Sequence, residues 1–167
     1  MRITKTAIGD VFSTQLNEES KKFFQYIVSD LTQLNSDVIR AFKRIYPLDF
    51  QPNLSEIVND EVDFYAHCDT KHGVKLKLWE KVGNVANVGD FTNIIFRDTE
   101  DYGIKLGEEP ILISNTWYVW KVNGSFSDVG KVEGKNRDAY VGLVINPYGI
   151  VELLKGNKYP HNYPAFE

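Results

Sequence analysis

The sequence predicts a mainly β fold (α+β): a curled antiparallel sheet or partly open barrel carrying one C-terminal helix. Three observations predict it. Aromatic residues make up 13% of the 167-residue chain, and aromatic and β-branched side chains favour strands. Short apolar or alternating runs recur between turn residues, with no repeat and no low-complexity tract. One segment near the C-terminus, "NPYGIVELLKGN", carries a helix cap, a proline at the first position and a glycine past the end.

The elements follow in order. "IGDVFSTQL" (8–16) reads as a first strand after a glycine turn, and "NEES" as a hairpin loop. "SKKFFQYIVSDL" alternates Phe23, Gln25, Ile27 against Phe24, Tyr26, Val28 and reads as a second strand. "SDVIRAFKRIYP" is open between helix and strand. Val38, Ile39, Phe42, Ile45 and Tyr46 recur at helical spacing, with Ser36 as a cap and Pro47 as a stop, so periodicity favours helix over 37–46. "DFQPNLSEIVND" reads as a turn and one helical turn.

"VDFYAHC" and "VKLKLWEKVG" read as two strands joined by the turn "DTKHG", with Gly73 supplying a positive φ. Val74, Leu76, Leu78 and Glu80 would share one face of the second, and Lys75, Lys77, Trp79 and Lys81 the other. A strand near 93–97 follows. "ISNTWYVWKVNGSF" is a hairpin arm ending in the turn Asn123-Gly124. "DVGKVEGKNRD" reads as a polar loop and "AYVGLVINP" as a strand. The helix after it has Asn146 as cap, Pro147 at the first position, Ile150, Val151, Leu153 and Leu154 as its apolar stripe, and Gly156 past the end. The tail "KYPHNYPAFE" reads as irregular chain lying on the body.

Composition bounds the function. Length fits one domain over 1–167 with a core that needs neither disulfide nor metal. The net charge of −4, without a basic block, disfavours nucleic acid. No run approaches about 20 uninterrupted apolar residues, so no membrane span is expected. One cysteine cannot form an internal disulfide, and with no signal-like N-terminal run the expected location is the cytoplasm.

Candidate chemistry is sparse. His67, Cys68 and His72 cluster in "DFYAHCDTKHG". On a strand His67 and Asp69 face one way and Cys68 the other, which leaves a metal site short of ligands. A nucleophile using Cys68 or His67 would need an open pocket, whereas a lone cysteine is usually a small buried hydrophobe. "GKVEGKN" is one residue short of a phosphate loop and lacks its hydroxyl. Asp10, Asp30, Asp37, Glu80, Asp98, Glu100 and Asp101 form no pair that the sequence brings together. No cofactor is implied. Trp117 and Trp120 are an odd number apart and face opposite ways on a strand. One would be core and the other exposed or at an edge, unless all three tryptophans pack internally.

The ordered set "IGDVFSTQL", "KKFFQYIV", "SDVIRAFKRIY", "LKLWEKVGN", "IIFRD" and "TWYVWKV" resembles the immunity protein 26 group of bacterial polymorphic toxin systems. The matching residues are Gly9, Asp10, Val11 and Phe12, then Phe24 and Tyr26, then Trp79, Val82 and Gly83, within about residues 8 to 125. The resemblance implies a mainly β protein without enzymatic activity that binds and neutralises a protein toxin encoded next to it. It implies a strand at "SDVIRAFKRIY", against the periodicity, and makes Gly9 and Trp79 fold determinants. Expected toxin contacts are Glu100, Asp101, Glu108 and Glu109 on loops, with Trp117 and Trp120 as aromatic anchors. Two other readings stand beside this one. One is a small-ligand or adaptor module with a β-barrel body and a cavity lined by Trp117, Tyr118 and Trp120. The other is a hydrolase using His67 or Cys68. The sequence leaves the oligomeric state open.

Overall fold

A computed structural model of the chain describes residues 5–103 and 105–167. Its strands are β1 (Asp10–Gln15), β2 (Ser20–Asp30), β3 (Ser36–Phe42), β4 (Tyr46–Pro47), β5 (Val62–Cys68), β6 (Glu80–Asn84), β7 (Ile95–Thr99), β8 (Trp117–Lys121), β9 (Ser127–Gly130), β10 (Tyr140–Val141) and β11 (Val144–Ile145). The helices are α1 (Leu54–Ile57), α2 (Thr70–Lys75) and α3 (Pro147–Leu154), with a 3-10 turn at Gly134–Asp138. The first sheet runs β11-β5-β3-β2-β1-β6, with β4 also paired to β2; the second runs β10-β7-β8-β9. The fold is mainly β, and the sheets do not close into a barrel.

Register sorts the first sheet into two faces. On one face Phe12, Phe24, Ala41 and Phe64 lie side by side across four strands, and Tyr26, Ile39 and Ala66 form the next row. Trp79 and the buried Ile150 and Leu154 of α3 complete this core. The other face carries two cores. Val11, Phe23, Phe42 and Tyr46 pack with Ile57 and Val58 at α1. Ile27, Val28 and Val38 pack with Ile94, Phe96 and Trp120 of the second-sheet side. A bulge between Tyr26 and Val28 lets both Ile27 and Val28 join this core.

Between those two cores the same face is polar. Arg40 and Gln25 are buried, and Arg40 Nε donates to Gln25 Oε1 at 2.9 Å. Gln25 Nε2 donates to the carbonyls of Gly9, Val85 and Asn87 at 2.9 to 3.2 Å, and Arg40 Nη2 donates to Asn87 O at 3.0 Å. The pair thus places its donors on the backbone before β1 and in the loop after β6.

Several expectations are met. "SDVIRAFKRIYP" is strand rather than helix over Ser36–Phe42, which pairs with β2 on one side and β5 on the other, and again at Tyr46–Pro47, which pairs with β2; buried central strands override a helical period. Asn17 Oδ1 accepts from Glu19 N and Ser20 N in the predicted hairpin loop. Asn123 turns the chain at φ 58°. In α3, Asn146 caps Gly149 N at 2.9 Å and Gly156 follows at φ 87°.

Three expectations are corrected. The stretch after Cys68 is not a turn and a strand. Asp69 accepts from His72 N at 2.8 Å and starts α2, Lys77 reverses the chain at φ 59°, and the strand begins only at Glu80. Gly73 is needed for close approach, since a Cβ there would lie 1.9 Å from the Trp79 ring. "AYVGLVINP" is two short strands in two different sheets, β10 beside β7 and β11 beside β5. Gly142 marks the crossing; a Cβ there would lie 2.1 Å from the Trp120 ring. The polar loop expected at 128–138 holds most of β9 and the 3-10 turn. Among the described residues no helix is long and apolar enough to cross a membrane.

Candidate functional site

His67 and Cys68 point to opposite faces of β5, as strand geometry requires, and both are fully buried. Burial, together with the Asp37 and Asp69 charges, pushes the Cys68 thiol well above its ordinary range, so it stays protonated. Neither side chain is open to solvent, the opening that a hydrolase using His67 or Cys68 would need. His72 is exposed on α2. Among the described residues no group of three or more His, Cys, Asp or Glu is arranged to hold a metal.

His67 belongs instead to a buried polar hub. Asp30, at the end of β2, is also fully buried. Its Oδ2 lies 2.9 Å from His67 Nε2 and accepts from Trp120 Nε1 at 3.1 Å. Its Oδ1 accepts from Asn123 N and Thr32 N at 3.3 Å each, and from Thr32 Oγ1 at 3.2 Å. Burial alone would raise this carboxyl; the bonds donated by His67, Trp120 and Asn123 outweigh it and hold it below the usual range. Burial lowers the His67 pKa despite Asp30. Phe96 packs edge-on at 4.2 Å between ring centroids, and His67 Nδ1 has no hydrogen-bond partner. The neutral Nε2–H tautomer fits this environment. The hub fastens the second sheet to the first.

Trp117 and Trp120 face opposite ways, but both are covered, at 1% and 3% exposure. Trp120 packs between the sheets with Phe96 and Tyr118. The tail covers Trp117, with Tyr163 at 5.7 Å and Phe166 at 6.2 Å between ring centroids. With Trp79 at 3% exposure as well, all three tryptophans pack internally, the second of the two outcomes the sequence allows; Trp117 and Trp120 are therefore not exposed anchors, and the two do not frame a barrel cavity. Sequence reasoning placed the tail on the body without the residues it would cover.

The acidic residues lie where β7 leads into β8. Glu100, Glu108 and Glu109 are exposed. Asp101 Oδ2 accepts from Ser114 Oγ at 2.7 Å and Thr116 Oγ1 at 2.8 Å, and these hydroxyls hold its carboxyl below the usual range. Asp98 faces inward, where burial raises its pKa, and accepts from the Tyr118 and Tyr163 hydroxyls. Burial pushes the Tyr118 phenol up to about 12. Glu100, Asp101, Thr116, Tyr118 and Asp128 line a groove of about 310 Å³. Two of the expected contact residues thus share one wall, while Glu108 and Glu109 lie further out on the same loop. A larger groove of about 510 Å³ opens near Tyr65 and Tyr140 and mixes Asp90 and Asp138 with Lys121 and Lys135.

The base of the loop is built. Trp117 Nε1 donates to Ser114 O at 2.8 Å. Ser114 N donates to Ala165 O at 2.9 Å, and Ala165 N to Leu112 O at 2.8 Å, in a parallel bridge between Ile113 and Ala165. This pairing had no signal in the sequence, because neither stretch alternates and they lie about 50 residues apart. Comparison of the chain with family models, curated proteins and solved structures returns no match.

Proposed function

We propose that the chain is a nonenzymatic bacterial immunity protein that binds and neutralises a cognate toxin of a polymorphic toxin system in the cytoplasm. The observation that carries this reading is the β7–β8 loop, which presents Glu100, Glu108 and Glu109 to solvent from a base fixed by hydrogen bonds to the tail. Acidic side chains on a fixed base suit capture of a basic protein surface. Support also comes from the residues that carry the family resemblance. Gly9 stands at φ 95°, where a Cβ would lie 2.8 Å from Val85 O. Asp10 accepts from Asn84 Nδ2 and pairs with Lys81. The Trp79 ring covers Gly73, with Nε1 on Thr70 O at 2.9 Å. All three act as fold determinants. Co-expression with the product of the adjacent gene tests the reading. The expected result is a stable complex and rescued growth; a lethal neighbour that is neither bound nor neutralised overturns it.

A further inference from the structure

We infer that the toxin is gripped by an apolar crest on the β7–β8 loop, and that its docking site is an apolar recess rimmed by Lys or Arg. This inference rests on the neutralising reading above and adds the chemistry of the partner surface.

The first argument is exposure. Ile111, Leu112 and Ile113 are three consecutive exposed apolar residues, and Leu106 on the same loop stands clear of the protein at 104% relative exposure, against 72% for Leu112. The other large exposed apolar side chains, such as Ile8, Leu31, Ile45, Phe126 and Tyr148, occur singly along the chain. Single exposed hydrophobes are ordinary; several on one loop mark an interaction surface.

The second argument is charge. Residues 98–109 contain five carboxylates and one lysine, and Glu100, Glu108 and Glu109 are exposed on the same loop as the crest. A second copy meeting the same loop, or an anionic lipid surface, would set like charges together. A protein with a basic rim around an apolar recess satisfies both the charge and the crest.

The third argument is preorganisation. Asp101, Ser114 and Thr116 bond to one another at the base of the loop. Ala165 holds Leu112 O and Ser114 N from the tail side, next to the buried Trp117. The crest is presented from fixed stems, which lowers the ordering cost on binding.

The test uses the full chain and the purified product of the adjacent gene in a catalytically inactivated form. Leu106→Asp and Leu112→Asp are the crest variants, Glu108→Lys with Glu109→Lys the rim variant, and Leu31→Asp the control. Far-UV circular dichroism and melting temperature certify each fold. The crest variants are expected to weaken binding about 30-fold or more, the loss typical of a central anchor. The rim variant is expected to slow association and flatten its salt dependence, with Leu31→Asp unchanged. Wild-type binding with folded crest variants within twofold of it overturns the crest and leaves the neutralising reading standing. No binding by the wild type overturns both. A salt-resistant dimer of the chain that Leu112→Asp dissociates, seen by sedimentation, assigns the crest to self-association and also overturns the inference.

Discussion

Asp30 shows how much rests on one side chain. It receives donors from the β2–β3 turn, β5, β8 and the Asn123 turn. Replacing it with alanine strands the Trp120 and His67 donors in a dry interior. Asp30→Ala is expected to cost about 3 kcal/mol or more, read from the urea midpoint. The hub also sets a pH response. The folded state lowers the His67 pKa, so the unfolded chain takes up the proton more readily. Stability is therefore full above the unfolded histidine value of about 6.5 and falls as pH drops below it. Asp30 is lowered too, and its contribution is lost further down, beginning near the unfolded value of about 3.9. His67→Gln keeps an amide donor for Asp30 without titrating in this range. It is expected to flatten the loss between pH 6.5 and 5 in urea titrations. Strand alternation made the opposite faces of His67 and Cys68 legible in the sequence. The partner at Asp30 was not, because register over 37 residues leaves no local pattern.

At the scale of elements, legibility followed local chemistry. Helix α3 could be read because Asn146, Pro147 and Gly156 each act within a few residues. Helix α2 was missed because Val74, Leu76 and Leu78 mimic strand alternation, although the Asp69 cap was visible in the sequence. What decides between the two is Trp79 covering Gly73, a contact that composition does not announce. Gly73→Ala would drive a methyl into that ring and is expected to cost about 2 kcal/mol, seen as a lower melting temperature. The β7–β8 loop depends on its strap in a separate way. Ala165→Pro deletes the N–H that holds Leu112 O. Limited proteolysis is expected to cut faster between residues 102 and 113 in this variant, while the far-UV spectrum stays that of the parent. Equal cutting rates would mean that the loop holds itself.

For the whole molecule the two sheets share one fate. The hub at Asp30, the crossing at Gly142 and the core of Ile27, Phe96 and Trp120 all span them. Trp79 reports on the first sheet, and Trp117 and Trp120 on the second, so single-tryptophan variants separate their signals. Their urea transitions are expected to coincide with each other and with circular dichroism; two separated midpoints would show independent units. The parallel pairing of β11 with β5 has a further consequence, for synthesis. Val144 pairs with His67, so the ribosome must add about 77 more residues before the rim of β5 receives its cover. At roughly 5–20 residues per second this takes on the order of 4 to 15 seconds. During that interval the nascent chain displays an unpaired strand edge, open to neighbouring nascent chains and to chaperones.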